Sequence, residues 1–167
     1  MSAENLLIID DEPMVRLGLG EMLKAEGYRI DEAENLAAAR QRLKGAPPAA
    51  ILTDMQLPDG SGLDLIPVFR EAWPEIPILV MTAHGSIDTA VLAMQAGAFT
   101  YLQKPLNTEE LLVVLRKALD TSRLEWQIED RLHRLRVLPR SERRRVRNEC
   151  ISRGPPHHQT KNKSPAS

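Results

Sequence analysis

Short apolar runs alternate with amphipathic segments along the first 120 residues of the chain. The runs are Leu6–Ile9, Tyr28–Ile30, Ala49–Thr53, Ile76–Met81 and Ala98–Leu102. Continuous apolar runs, separated by helical segments of roughly 10–15 residues, are typical of parallel strands that helices cover on both faces. The pattern therefore predicts a doubly wound α/β domain with five parallel strands over residues 1–122.

Helix start and stop signals fill the intervals between these runs. The predicted helices are Pro13–Glu26, Asn35–Lys44, Gly62–Ala72, one capped by Ser86 and one that begins at Asn107. Pro67 falls inside the third helix, where we expect it to remove one backbone hydrogen bond. In the fourth helix, the spacing i, i+3, i+4, i+7 predicts an apolar face made of Ile87, Ala90, Val91 and Met94.

The last helix is predicted to continue past the domain, because neither Gly nor Pro occurs from Leu106 to Leu138. Its extension, residues 123–138, is interpreted as a linker helix. An apolar stripe at heptad-like spacing runs along it: Leu124, Ile128, Leu132, Leu135 and Leu138. The stripe indicates either a short homodimer seam or a face that packs on the helix's own domain.

The distribution of charge changes in the same region. Residues 1–120 hold 10 basic and 18 acidic side chains, whereas residues 121–167 hold 12 basic and 5 acidic ones. Residues 139–167 carry too little apolar surface to fold alone, so we expect a disordered basic tail. Three interpretations of the tail stay open: out-of-frame coding, an arm that contacts phosphates, or a solvated segment without a partner. Specific recognition of nucleic acid is not expected, because the tail lacks aromatic residues and a folded reading element.

Composition excludes several classes of protein. The single cysteine, Cys150, cannot form an internal disulfide, and the four histidines and this cysteine lack zinc-ligand spacing. No apolar run approaches the ~18 residues that span a bilayer, and the first residues lack the features of a signal peptide. We therefore expect a cytoplasmic protein without membrane contact.

Polar side chains end four of the five predicted strands. Asp10 and Asp11 follow the first strand, Asp54 the third, Thr82 the fourth and Lys104 the fifth. Parallel strands end on one edge of their sheet, where the ligands of such folds bind, so these residues are expected to converge. Each alone has a simpler interpretation as a helix cap, a turn residue or a solvated loop residue. Their conjunction favours a functional site.

Three carboxylates in one crevice repel one another by on the order of 4 kcal/mol per close pair, and a divalent cation relieves this repulsion. An all-oxygen ligand set suits Mg²⁺, or Mn²⁺, better than zinc. With Lys104 and Thr82 beside it, such a cradle can hold the oxygens of a phosphoryl group in transfer. Asp54 stands alone at its strand end and is the candidate nucleophile.

Four segments, in order, resemble the signatures of the response-regulator receiver domain of two-component signalling: LLIIDDEP, ILTDMQLPDGSGLDL, ILVMTAHG and AFTYLQKP. The resemblance covers residues 5–122 and is nearest to the receivers of nitrogen-regulation-type, sigma-54-dependent enhancer-binding activators. It implies a flavodoxin-like fold with strand order 2-1-3-4-5. No counterpart of the ATPase and DNA-binding modules of those activators is expected, since the sequence has no G-x-x-x-x-G-K-[ST] loop.

The resemblance implies roles for the acidic residues. Asp54 would accept a phosphoryl group from a phosphohistidine of a sensor histidine kinase. Asp11 and Asp54 would ligate Mg²⁺ directly, whereas Asp10 would act through water and Gln56 through its backbone carbonyl. The Lys104–Pro105 bond matches a position where the family often has a cis peptide.

The resemblance also implies a switch. Thr82 and Lys104 would contact the phosphoryl oxygens after transfer, and Thr82 and Tyr101 would shift together. The shift would remodel the surface of the fourth helix, the fifth strand and the fifth helix. The simpler interpretation of Tyr101 is an exposed strand tyrosine. Gln56 and His84 lie at variable positions that tune the loss of the phosphoryl group in this family.

Other functions compete with this phosphoryl-accepting switch, which is not expected to be a metabolic enzyme. A haloacid-dehalogenase-type phosphatase also uses an Asp nucleophile with Mg²⁺, but it requires D-x-D-x-[TV] after the first strand, where this chain has DDEP. A flavodoxin requires a Ser/Thr/Gly-rich phosphate loop at the same place, which the chain lacks. The remaining alternatives are a receiver that binds partners without accepting phosphate and an output-less form of an activator.

Overall fold

A computed structural model describes residues 3–137, and the predicted basic tail, 139–167, lies outside them. Its centre is a sheet of five parallel strands in the order β2-β1-β3-β4-β5. The strands are β1 (Asn5–Ile9), β2 (Arg29–Ala33), β3 (Ala50–Asp54), β4 (Ile78–Thr82) and β5 (Thr100–Gln103). The order and the parallel pairing confirm the predicted fold.

Five α-helices connect and cover the strands. They are α1 (Pro13–Ala25), α2 (Leu36–Arg42), α3 (Leu65–Ala72), α4 (Ile87–Ala96) and α5 (Thr108–Val137). Polar side chains cap three of these helices. Asn35 Oδ1 accepts the amide of Ala38 at 2.7 Å, and Asn107 Oδ1 accepts the amide of Glu110 at 3.1 Å. Ser86 caps α4 with a capping box.

Two apolar clusters pack on the two faces of the sheet. Alternate residues of β1 point to opposite faces, with Leu7 and Ile9 on the side of α2, α3 and α4, and Leu6 and Ile8 on the side of α1 and α5. Every residue of β3 and β4 is buried. This burial confirms the interpretation of the continuous apolar runs as central strands.

The predicted apolar face of α4 does not face the core. Ile87 is 84% exposed, Val91 46% and Met94 51%, and Ala93 is the buried residue of this helix. The predicted stripe is present, but α4 is apolar on more than one face, so spacing alone does not identify the face that packs. The helix meets the sheet through a small side chain and leaves its larger apolar residues in solvent.

Two further elements differ from their predicted bounds. β2 continues through the polar residues Asp31 and Glu32, which an edge strand can carry because one side of it is open to solvent. The third helix starts with a 3-10 turn at Gly62–Asp64, and α3 proper starts at Leu65. Pro67 therefore lies in the first turn of α3, where its missing N–H leaves no hydrogen bond unmade.

The last helix, α5, runs for 30 residues to Val137, which confirms its continuation past residue 122. The chain divides into two compact units, Met1–Trp126 and a second one from Gln127. Three residues of the predicted stripe, Leu124, Ile128 and Leu132, are 61%, 59% and 47% exposed. The side chain of Leu135 and the whole of Leu138 lie outside the described part. None of the described helices is long and apolar enough to cross a membrane.

A short hairpin, Gln56–Leu57 with Gly60–Ser61, follows β3. The Asp59 carboxylate at its tip accepts the amides of Leu36 at 2.8 Å and Ala37 at 3.1 Å, in the first turn of α2. The hydrogen bond from Leu36 lowers the pKa of the Asp59 carboxyl below its ordinary value, and the bond from Ala37 adds to this shift. The hairpin is thereby fastened to α2.

Gly62 closes the same loop against β3. Its amide donates to the Met55 carbonyl at 2.9 Å. A Cβ atom at residue 62 would lie 1.9 Å from the Asp54 carbonyl oxygen and 2.8 Å from Thr53 Oγ1. The loop can approach Asp54 this closely only with glycine at this position.

We expect Gly62→Ala to destabilise the fold by about 3 kcal/mol or more, because the backbone atoms it meets cannot move aside without displacing β3. Gly18→Ala is the matched control, since a Cβ at residue 18 has no atom within 4 Å in α1. This control should stabilise the fold by roughly 0.5–1 kcal/mol, through helix propensity. Urea unfolding measures both changes. Equal effects of the two substitutions would contradict the assigned role of Gly62.

Asp59→Asn should lower the free energy of unfolding at neutral pH and have little effect in acid. Since the folded pKa of Asp59 is lowered, its carboxylate stabilises the fold above the ordinary carboxyl pKa of about 4. That contribution is lost as the pH falls through the folded value. Urea unfolding of both proteins across this pH range measures the difference, with Glu71→Gln, an exposed carboxylate of α3, as control. A difference that does not depend on pH would exclude the charge as its cause.

Candidate functional site

Four predicted site residues meet at the carboxyl edge of the sheet. Asp10 follows β1, Asp54 ends β3, Thr82 ends β4 and Lys104 follows β5. These strands are successive neighbours, so their ends are adjacent. The backbone ties them further, since the amide of Lys104 donates to the Thr82 carbonyl at 2.7 Å. The predicted convergence at this edge is present in the structure.

Lys104 joins the two buried carboxylates. Its Nζ lies 2.6 Å from Asp10 Oδ2 and 2.6 Å from Asp54 Oδ2, residues 94 and 50 positions away in sequence. Burial alone would lower the pKa of this ammonium, but its hydrogen bonds and charge attraction to Asp10 and Asp54 outweigh burial and raise that pKa. The side chain therefore stays cationic at neutral pH. The bond from Lys104 to Pro105 is cis, as the resemblance implied.

The Asp54 carboxylate is oriented and still reachable. Its Oδ1 accepts the amide of Gln56 at 2.9 Å, and its Oδ2 accepts from Lys104. The residue is 7% exposed, whereas Asp10 is completely buried. An incoming electrophile therefore meets Asp54 and cannot meet Asp10 without rearrangement.

A cluster able to hold a metal ion is formed by Asp10, Glu12 and Asp54, which each offer an oxygen within 4.8 Å of the others. All donors are carboxylate oxygens, a set that fits Mg²⁺ or Mn²⁺. Asp11 is exposed and lies outside this cluster, and Gln56 is also exposed. The direct role of Asp11 and the carbonyl role of Gln56 stay predictions.

Glu12 is a site residue that the sequence interpretation missed. Its Oε1 lies 3.7 Å from Lys104 Nζ, and its amide donates to Asp10 Oδ1 at 2.9 Å. Its side chain does not cap α1, which leaves the carboxylate available to the cluster. The signal was present in the sequence as a third consecutive acidic residue after the first strand.

Thr82 ends β4, the strand beside the one that carries Asp54. Tyr101 lies on β5, the next strand along the sheet. Thr82 is 3% exposed, and its Oγ1 accepts the amide of His84 at 3.2 Å. Tyr101 is half-buried and packs against the cluster on the α3–α4 side of the sheet. Its hydroxyl is buried and has no hydrogen-bond partner among the described residues. The simpler interpretation of Tyr101 as an exposed tyrosine therefore does not hold.

An open cleft of about 610 Å³ borders the end of β3. Both predicted tuning residues, Gln56 and His84, line it, together with Thr82 and the hydroxyl-bearing Ser61 and Thr89. Thr82 is the residue that this cleft shares with the four that meet at the edge of the sheet. A carboxylate nucleophile, a fixed ammonium and a nearby hydroxyl can together accept and hold a phosphoryl group.

Comparison with known proteins agrees with this geometry. Residues 6–116 match the model of the response regulator receiver domain family. The chain is 42% identical over 119 residues to the response regulator protein PilR of Pseudomonas aeruginosa, covering 71% of this chain and 27% of PilR. It therefore spans about a quarter of the length of that relative.

Solved structures give the same fold. The beryllofluoride-activated NtrC4 receiver domain dimer matches with a TM-score of 0.67 and 35% identity, covering 71% of this chain and 98% of that one. A response regulator of Burkholderia pseudomallei, with a phosphorylated aspartic acid, a calcium ion and citrate, matches with a TM-score of 0.65 and 34% identity, covering 75% of this chain and 74% of that one. The chain belongs to the response regulator receiver domain family of two-component signalling.

Proposed function

We propose that the chain is a signalling switch in which Asp54 accepts a phosphoryl group from the phosphohistidine of a sensor histidine kinase in the cytoplasm. The observation that carries the proposal is the Lys104 ammonium, 2.6 Å from both Asp10 and Asp54. With the amide of Gln56, it orients the carboxylate of Asp54, a residue that is 7% exposed. The phosphorylated aspartic acid in the Burkholderia pseudomallei relative supports the same acceptor chemistry.

In the proposed transfer, an oxygen of the Asp54 carboxylate attacks phosphorus. The bond from phosphorus to the donor's imidazole nitrogen breaks, and the nitrogen keeps the bonding electron pair. Lys104 offsets the negative charge on the phosphoryl oxygens, and the Thr82 hydroxyl donates to one of them after leaving its contact with His84. The chain is consumed as an acceptor in each cycle, so it is a switch rather than a metabolic enzyme.

Mg²⁺, or Mn²⁺ in its place, is the proposed cofactor. Asp10, Glu12 and Asp54 form the cluster that fits it, and Asp11 and the Gln56 carbonyl complete the predicted ligand set. When bound, the ion neutralises carboxylate and phosphoryl charge. Lys104 holds Asp10 and Asp54 together through its two contacts. The protein therefore provides the carboxylate geometry, and the cation adds charge at the same edge.

The proposed readout is the surface of α4, β5 and α5. Phosphorylation adds charge beside Lys104 and a new acceptor for the Thr82 hydroxyl. If Thr82 moves toward it, the packing of Tyr101 on the neighbouring strand changes as well. The exposed residues Ile87, Val91 and Met94 of α4 then form an apolar surface whose position this shift controls.

We expect acetyl phosphate with Mg²⁺ to phosphorylate the wild-type protein, seen as a shifted band on a phosphate-affinity gel. Asp54→Asn should abolish the shifted band, because the amide is not a nucleophile. Asp120→Asn on α5 is the control and should leave it unchanged. The free energy of unfolding of each variant checks that the fold is intact.

One outcome of this assay would contradict the proposal. A folded wild-type protein that takes up no phosphate at excess donor would exclude the proposed switch. It would favour a receiver that binds its partners without phosphorylation.

We also propose that the C-terminal part of α5 joins two copies of the chain. In the second compact unit, Ile128 and Leu132 are exposed and one helical turn apart, as the seam of a short coiled coil requires. The NtrC4 receiver structure is described as a dimer, which supports self-association in this class of receiver.

Light scattering of the phosphorylated chain should give twice the monomer mass. Ile128→Asp combined with Leu132→Asp should return the mass to that of a monomer, because each charge would lie in the seam. His133→Ala, at an exposed position of the same helix, should leave the dimer intact. A wild-type chain that stays monomeric after phosphorylation would reject the seam.

A further inference from the structure

We propose that Gly85 is a positioning residue for Tyr101, because the absence of a side chain at residue 85 makes room for the tyrosine to lie inward. The inference rests on the proposed switch, since it identifies what the β4–α4 loop contributes to it. It assigns Gly85 no contact with phosphate or metal.

The contact is close. A Cβ atom at residue 85 would lie 2.7 Å from Tyr101 Oη, and 2.8 Å from both Cδ and Oε1 of Gln103. Such separations require a displacement of one partner. Gln103 is exposed and has a flexible side chain that can turn into solvent. Tyr101 carries a rigid ring packed against the core, so it must change rotamer as a whole and move outward.

Backbone strain does not explain the glycine. The glycines with positive φ are Gly27, Gly60 and Gly97, and Gly85 is not among them. The backbone at residue 85 does not have the positive φ that disfavours alanine. An alanine there would instead place its Cβ atom in space that Tyr101 and Gln103 occupy. This separates the effect of the side chain from that of the backbone conformation.

The inward position of Tyr101 is finely balanced. Its buried hydroxyl lacks a partner in the described part of the chain, and an unpaired buried hydroxyl favours the solvated, outward rotamer. Packing of the ring against the apolar cluster on the side of α2, α3 and α4 opposes this preference. One methyl group at residue 85 is therefore enough to shift the balance.

The same loop touches Thr82. The amide of His84, one residue before Gly85, donates to Thr82 Oγ1 at 3.2 Å. Departure of the Thr82 hydroxyl toward a phosphoryl group breaks this bond, which ties the loop to the end of β4. The loop therefore contacts Thr82 through the amide of His84, and its residue Gly85 borders the Tyr101 ring. A movement of one of these side chains can affect the other through the loop.

The test uses the two tyrosines of the chain, Tyr28 and Tyr101. In a Tyr28→Phe background, 3-fluorotyrosine labels Tyr101 alone, and its ¹⁹F resonance distinguishes a buried ring from a solvated one. Gly85→Ala should move the resonance most of the way to the position of the urea-unfolded protein while α-helical circular dichroism is retained. An unmoved resonance in a folded Gly85→Ala variant would overturn the proposal.

A second set of variants covers the case in which Gly85→Ala does not fold. Gly85→Ala combined with Tyr101→Ala should recover the cooperative unfolding transition, whereas combination with Gln103→Ala should not. Recovery by Gln103→Ala alone, or by neither, would overturn the assignment of Tyr101 as the partner. All measurements use the unphosphorylated chain, so failure of phosphate uptake at Asp54 does not affect their interpretation.

Discussion

The charge balance among Asp10, Asp54 and Lys104 is the constraint on which the rest of the site depends. Two unit charges about 4 Å apart repel by about 4 kcal/mol at an effective dielectric constant near 20. Oxygens of Asp10 and Asp54 lie within 4.8 Å of each other, and the strands that carry them are buried and cannot separate. The ammonium from a third strand, 2.6 Å from each carboxylate, offsets that repulsion. Because its backbone also bonds to Thr82, a change of charge at this edge affects four strand ends together.

The sequence predicted the sheet and the convergence of the site because both follow from local patterns. Buried parallel strands must be apolar throughout, and their ends must share an edge, so Asp10, Asp54, Thr82 and Lys104 could be brought together without a structure. The contribution of Glu12 could not be predicted in the same way. Its carboxylate reaches the cluster from the first residues after the strand, and that depends on a side-chain direction which residue spacing does not determine.

The burial of α4 shows a second limit of sequence patterns. Spacing identified an apolar stripe that exists, but its three large residues are exposed. Contact with the sheet selects the side chain that fits rather than the one that is most apolar. The attachment of the hairpin to α2 through Asp59 could not be predicted from the sequence either. A turn aspartate is ordinary in sequence, and its partners lie 23 and 22 residues away on another helix.

The shallow seating of α4 also affects how the protein opens. A helix whose buried contribution is Ala93 loses little apolar contact when it detaches, so its amides can exchange with solvent through an opening far less costly than global unfolding. The amides of β3 and β4, buried on every residue, require the whole domain to unfold. The energetic gap between these two openings allows one helix to change position many times during the lifetime of a single folded molecule.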